Sequence, residues 1–596
     1  MTSTKKYAKI ICFSTALVNK TVVIRSKHLS YIAISASAIS ILLLMFFLGP
    51  NNDDNLSLIG RGDDNIASDN QEIPDGQTKV QNKIDDYYLR GAISSTSGGK
   101  QVLEKYQTHL CGASFEKRTD FIQEYTLPFP CSQPVGITVQ QQNSSNSSSN
   151  NTTANAQKIW MAATWNGYLV VFDPELQRFS DFIEIPNWKA KGIFGSMVWD
   201  MEFDKNGDLW FTDQVNNAIW RYFTADKKFE LYRVPTNGSY PSSIAFDSQG
   251  RVWFSEIFGK KLGVIDPTKV TNNTTNGIQE YQLNMSEEEG FETMGPLIIT
   301  SKYDNGNNET VWFTAVDFPE TGHIIKFDIN TKRFEVLRLA EGVGVPVGIV
   351  EDDKGRLWIN DHATNLFFMF EPKTEKIVKY STSLPTSRNS TTTLPYYNTY
   401  RNGKLWFNEH EGNTIAYFDI TNSTLVEYQI PSRGEIWGNT SNPLQFTLDN
   451  NGSVWFTEWT ENKIGLLDSE KAKNLPLWVS VPANGTTINL DKEKYQGGKS
   501  IKIFVYPNRS NLDAEIKGEP VQMTVAGTMS YTGKLWNLTG EFSKKRFYFP
   551  EGSTDPQIVT LKLTPDQDLV PGNYMLTVGA RYGTVTYSKM IDLNVK

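Results

Sequence analysis

Cysteine and histidine are scarce in this chain, with three and five copies in 596 residues. The sequence has no C-x-x-C-H haem attachment, no H-E-x-x-H zinc helix, no G-x-S-x-G elbow and no glycine-rich phosphate loop. A basic footprint is missing as well: the net charge of −8 leaves no stripe of positive charge for nucleic acid, which is excluded as an expected partner. Of the cysteines, Cys12 stands before the one long apolar run, whereas Cys111 and Cys131 flank a short stretch beyond it. In an oxidising compartment the latter two are expected to pair, closing a loop for roughly 3 kcal/mol; two free buried thiols are the alternative.

The long apolar run is Leu29 to Leu48, LSYIAISASAISILLLMFFL, which carries no charge. About 20 apolar residues in a helix span a hydrocarbon core of about 30 Å. Lys5, Lys6, Lys9, Lys20, Arg25 and Lys27 precede it, and Asp53, Asp54, Asp63 and Asp64 follow. That asymmetry predicts a cytoplasmic tail (1–28), a transmembrane helix (29–48) and an extracellular remainder. A cleaved signal peptide fits less well, because the run is longer than an ordinary signal core and no A-x-A-like site follows. N-x-S/T sequons at Asn143, Asn151, Asn237, Asn273, Asn308, Asn389, Asn439, Asn484 and Asn537 suit an exported, glycosylated protein. Residues 49–110 are polar and acidic and read as a stalk or linker.

One unit then recurs: a Pro-led apolar strand, a D-x-x-G turn, a W-F-T-E-like strand, a short turn, an apolar strand ending in Asp, and F-x-E-Y-x-x-P. Its tryptophans are Trp160, Trp210, Trp253, Trp312, Trp358, Trp406 and Trp455, spaced 43 to 59 residues apart. Such spacing fits four-stranded blades with loop insertions and predicts a seven-bladed β-propeller over 111–470. Asn206-Gly207, Gln249-Gly250, Lys354-Gly355, Asn402-Gly403 and Asn451-Gly452 read as tight positive-φ hairpins. Six copies end in an outer strand, but the seventh runs from Leu467-Asp468 into new sequence. The missing strand appears upstream as Phe121–Pro128 (FIQEYTLP), expected to pair with the last blade and close the ring.

Residues 140–156 form a polar low-complexity insertion in the first blade. Beyond Pro476 the aromatic repeat stops. Leu477–Val481, Ile501–Tyr506, Val521–Val525, Ile558–Leu563, Tyr574–Val578 and Val585–Val595 alternate as strands, predicting an immunoglobulin-like β-sandwich over 475–596. The whole is an all-β chain with an N-terminal transmembrane helix.

The blade signature, as in Gly452-Ser453-Val454-Trp455-Phe456-Thr457-Glu458 followed by Asn462-Lys463-Ile464-Gly465, resembles the streptogramin B (virginiamycin B) lyase propellers and the wider gluconolactonase-like (SMP-30) propellers. The resemblance implies a lyase that opens a cyclic depsipeptide ester by elimination, with a magnesium ion held by Glu and His and a histidine base. Those histidines lie in P-H-G-I-like contexts. The matching positions here are Val135, Ser242, Leu297, Val347, Tyr396 and Leu444, so the usual general base is not in its place.

An acid stands three residues after the blade tryptophan in five repeats: Asp213, Glu256, Asp361, Glu409 and Glu458. Rotational symmetry puts such positions at one depth, where they are candidates to hold Mg²⁺ or Ca²⁺ through oxygen. The same recurrence would arise if each acid bonded its own blade's turn. His362 and His410 adjoin two of them as further pocket candidates. Two functions follow: a surface module binding a small-molecule or protein ligand, or a divergent metal-dependent lyase or hydrolase at the channel mouth. The catalytic residues and the ligand are left open by the sequence.

Overall fold

The computed structural model describes two short strands, Val22–Ile24 and Ile32–Ile34, and then residues 115–596 apart from residues 130, 141–156, 189–196, 215, 284–292, 301–308, 318–320, 340–342, 388–389, 435–439, 483–484, 492–496 and 509–518. Where the sequence predicts a membrane helix, Ile32–Ile34 pairs antiparallel with Val22–Ile24. The rest of Leu29–Leu48, the stalk and Cys111 lie outside the described residues. Among the described residues no helix is long and apolar enough to cross a membrane. Cys131 is fully buried and disulfide-bonded.

Seven four-stranded antiparallel sheets follow one another, each read here from strand a to strand d. Blades I to VI occupy residues 134–184, 201–233, 241–282, 293–338, 346–381 and 395–429. Blade VII takes Pro443–Leu448, Val454–Glu458 and Lys463–Leu467 from its own repeat, and its outer strand is Ile122–Thr126. The latch registers Ile122 against Leu467 and Thr126 against Lys463, as the outer-strand count predicts. Strands a of neighbouring blades touch around the full circle, blade VII against blade I included.

Every blade tryptophan sits in strand b and packs on the next sheet. Trp455 of blade VII meets Phe172 of blade I at 5.3 Å between ring centroids, within an apolar cluster that also holds Tyr125 of the latch. The D-x-x-G turn fixes each tryptophan in turn. In blades II, III, V and VII the Asp carboxylate caps two amides of the turn and accepts the indole N–H six residues on: Asp204 from Trp210 (3.1 Å), Asp247 from Trp253 (2.8 Å), Asp352 from Trp358 (2.9 Å) and Asp449 from Trp455 (3.2 Å). Only Asn402-Gly403 is a two-residue hairpin with both φ positive; in the other four turns only the glycine is left-handed, because the Asp cap has replaced the primed turn.

A second recurrent device ties three blades to their successors. In blades II, VI and VII the turn between strands b and c ends in an asparagine with positive φ, which its short side chain tolerates. Asn413 donates to the carbonyls of Ile430 (3.1 Å) and Ser432 (2.9 Å) and accepts from the Ser441 amide (2.7 Å). Asn217 does the same with Val234, Thr236 and Ser239. In blade VII, Asn462 grips Leu127 (3.3 Å), Phe129 (2.7 Å) and the Ser132 amide (2.7 Å). The upstream segment thus occupies the place that the F-x-E-Y-x-x-P tail holds elsewhere.

The C-terminal unit packs two sheets face to face over one apolar core. One sheet orders Leu477–Ser480, Lys499–Pro507, Gln557–Pro565 and Leu538–Phe542; the other orders Val585–Val595, Gly572–Tyr582, Val521–Gly527 and Arg546–Phe547, with Thr487–Leu490 parallel to the last strand of the chain. That last strand also pairs with strand d of blade VI, Thr424 opposite Lys589 through Tyr428 opposite Val585, so a nine-stranded sheet runs from propeller into sandwich. Of the sequons, Asn237 and Asn273 are exposed; Asn537 is half-buried with its amide donating to Asp568 O (3.0 Å), and the other six lie outside the described residues.

Replacing Asn462 by Ala strands two buried carbonyls and one amide at the closure, and is expected to cost about 2–4 kcal/mol. Urea unfolding followed by tryptophan fluorescence measures it. Asn206→Ala, on an exposed turn, should stay within about 0.5 kcal/mol.

Candidate functional site

Asp213, Glu256, Asp361, Glu409 and Glu458 each end strand b and are at most 1% exposed. They share a depth, as the repeat requires, yet they do not gather around one point. Asp213 accepts from the Asn216 amide (3.1 Å), the Asn216 side chain (2.8 Å) and the Trp220 indole (2.8 Å). Asp361 accepts from the Gly344 and Val345 amides (3.2 and 2.7 Å), the Ala363 amide (3.3 Å) and the Thr364 hydroxyl (3.0 Å). Both are held by the blade's own turns and links.

The three glutamates turn instead toward strand d, where the Glu of F-x-E-Y waits. In blade III, Lys261 at the start of strand c donates to Glu280 (2.7 Å) beside Glu256. In blade VII the fully buried Lys463 donates to Glu124 (3.0 Å) and Ser432 (2.6 Å) beside Glu458. Glu124, Glu280 and Glu427 also accept an amide from the link left by the preceding blade: Ser432 (2.9 Å), Thr236 (2.8 Å) and Ser383 (2.9 Å). Burial, with Glu280 nearby, lifts Glu256 to about 8. Burial and Glu124 push Glu458 well up, and burial and Glu427 do so for Glu409.

A Mg²⁺ or Ca²⁺ ion asks for six or more converging oxygens. The five acids do not supply them, since two are saturated by N–H donors and the others are divided among three blades, two of which already hold an ammonium. Among the described residues no group of three or more His, Cys, Asp or Glu is arranged to hold an ion.

His362 and His410 follow strand b of blades V and VI. They meet across the blade boundary, with His410 Nδ1 3.3 Å from His362 Nε2 and the rings nearly parallel at 5.1 Å. Alternation along a strand would have separated His410 from Glu409, and it does; the histidines find each other instead. Tyr396 covers His362 at 4.7 Å. Burial drives both imidazoles down, His410 to about 4, so both are neutral at pH 7. Tyr396 also joins Val135, Met197, Trp199, Leu444 and Trp459 in an apolar cluster at the end of the ring where strands a begin. Val135, Tyr396 and Leu444, each the residue after the proline that leads a strand a, therefore belong to one apolar cluster.

Sequence reasoning passed over two acids of blade II. Glu202 keeps solvent contact although protein surrounds it, as a side chain facing the central channel does, and burial with Asp200 beside it lifts Glu202 to about 8. Asp200 accepts from Ser243 (3.0 Å) and the Ile244 amide (2.9 Å) and is raised to about 6 by burial. Their strand is short and irregular before Trp210, which hid the position from the repeat pattern.

Since His410 has a folded pKa of about 4 against about 6.5 when unfolded, the unfolded chain takes up the proton first. Stability is expected to fall as pH drops from 6.5 towards 4, by about 3 kcal/mol for this group. His410→Gln should flatten that limb of the profile, read as the urea midpoint against pH.

Residues 151–440 match the model of the virginiamycin B lyase family. No curated protein matches the chain. Among solved structures, a streptogramin B lyase is 24% identical with a TM-score of 0.44, covering 58% of this chain and 97% of that one. A virginiamycin B lyase from Staphylococcus aureus is 20% identical with the same score, covering 58% and 98%. Hydrazine synthase of Kuenenia stuttgartiensis is 10% identical at a TM-score of 0.38, covering 52% and 92%. The chain carries a β-propeller of the virginiamycin B lyase type.

Proposed function

We propose that the protein is a membrane-anchored extracellular binding module whose propeller presents a ligand- or protein-binding face without catalysing depsipeptide elimination. The observation that carries this reading is the apolar cluster of Val135, Tyr396 and Leu444 with Trp199 and Trp459, which offers no imidazole base at the positions where the family resemblance leads one to expect it. The two buried histidines turn a ring nitrogen to each other, and burial lowers both, so each is a weak base held away from solvent. Leu29–Leu48 supplies the anchor, with the N-terminus cytoplasmic, and the exposed Asn237 and Asn273 are available for glycans. The C-terminal unit reads as immunoglobulin-like, because two mainly antiparallel sheets of four strands each, with a further short strand parallel to the last, pack over one apolar core.

A divergent lyase or hydrolase is the second reading, favoured by Asp200 and Glu202, whose raised values suit general acid–base work at neutral pH. Purified full-length protein incubated with a streptogramin B depsipeptide and Mg²⁺ should leave the ring closed, read by chromatography and fragmentation spectra because elimination gives a linear isomer of unchanged mass. Ring-opened product that disappears in Glu202→Gln would replace the binding reading with the enzymatic one.

A further inference from the structure

Blades III, VI and VII repeat one arrangement: a glutamate ending strand b, a glutamate in strand d, and between them the first residue of strand c. In blades III and VII that residue is lysine, paired across the strand with the first glutamate (Glu256 with Lys261, Glu458 with Lys463), and its ammonium bonds the second. Blade VI keeps both acids, Glu409 and Glu427, in the same register, but Thr414 stands where the lysine belongs. Glu409 Oε1, Thr414 Oγ1 and Glu427 Oε2 lack a hydrogen-bond partner of good geometry among the described residues, as the carboxylate oxygens of Glu256 and Glu458 do in the lysine blades, while Thr414 and Glu427 lie close enough to act on Glu409. Glu409, Thr414 and Glu427 are at least nine-tenths buried.

These side chains line a cavity of about 440 Å³ between blade VI and the sandwich, within the size range of small-molecule sites. Arg546 and Arg581 of the sandwich line it too, Arg581 held by a hydrogen bond to Gln522 Oε1 (2.6 Å). The cavity thus sets the carboxyls of Glu409, Glu427 and Glu519 and the Thr414 hydroxyl beside two guanidinium groups, of which Arg581 acts on Glu427. A buried carboxyl pair without a cation is costly, and two sister blades show which cation meets the cost.

We propose that this cavity binds a small amino-acid-like zwitterion, its primary ammonium taking the place of the absent lysine between Glu409 and Glu427 and its carboxylate facing Arg581 and Arg546. The site lies off the channel and does not depend on whether the channel mouth binds or converts anything. Burial raises both glutamates, so protonation of the pair competes with an incoming ammonium.

Calorimetry on the full-length protein tests it with free α-amino acids, γ-aminobutyrate and 5-aminopentanoate, each beside its N-acetyl form, and with ethylamine, Mg²⁺ and Ca²⁺. At least one zwitterion should bind, with its N-acetyl form and ethylamine at least tenfold weaker. Glu409→Gln should weaken binding at least tenfold. Thr414→Lys, which restores the lysine of blades III and VII, should abolish it while leaving the melting temperature equal or higher. Should Thr414→Lys not fold, Glu409→Gln decides. Binding that survives N-acetylation or either substitution, binding of the divalent ions alone, or no binding of any probe at millimolar concentration overturns the proposal.

Discussion

The fold depends on an amide side chain placed in a left-handed turn. Each clamping asparagine reaches two carbonyls and one amide of the link into the next blade, groups that would otherwise be buried without partners. Direct backbone bonds also join neighbouring blades, such as Gly136 N–H to Val198 O (2.9 Å) and Arg233 N–H to Thr274 O (3.0 Å), and the clamp adds to them by fixing the links between sheets. In blade VII the same three contacts are made to residues 127–132, so ring closure uses no new chemistry. The latch is the ordinary inter-blade joint, made with a strand that precedes the ring instead of following it.

This joint explains why F-x-E-Y-x-x-P recurs. The two gripped carbonyls flank the proline, which offers no N–H of its own and biases the residue before it to an extended conformation. The glutamate accepts an amide from the preceding blade's link, so the outer strand of one blade is bound to the tail of the last. The Asp of D-x-x-G acts within the blade, holding the tryptophan that packs on the next sheet. The conspicuous residues of the repeat are thus mostly occupied with building the ring.

That is also why the fold was more legible than the site. Trp spacing, turn glycines and the FIQEYTLP segment carried the seven blades and the closure, because each reports a local geometric need. The five acids recur for the same reason: Asp213 and Asp361 answer turn amides, and the glutamates answer the outer strand. Periodicity cannot tell a residue repeated for assembly from one repeated for chemistry. The pairing of His362 with His410 depends on the angle between two blades, which no single repeat encodes. In the sandwich, Thr487–Leu490 and Leu538–Phe542 escaped the strand pattern because edge strands are short and polar.

Blade VI departs from its sisters in several ways. Its outer strand sets Leu425 beside Val426, apolar on both faces, where other outer strands expose residues; both are fully buried, and the last strand of the chain lies along them. Its first turn is a two-residue hairpin without the Asp pin, and its Trp406 retains some exposure. Its strand c starts with Thr414 in place of lysine. A solvent-facing blade needs an internal cation to bury two glutamates, because nothing outside can neutralise them. In blade VI the sandwich brings Arg581 near Glu427, which offsets only part of the rise that burial imposes, so the pair still lacks the internal ammonium of blades III and VII. Thr414 and the partner strand thus both lie where the sandwich docks on blade VI.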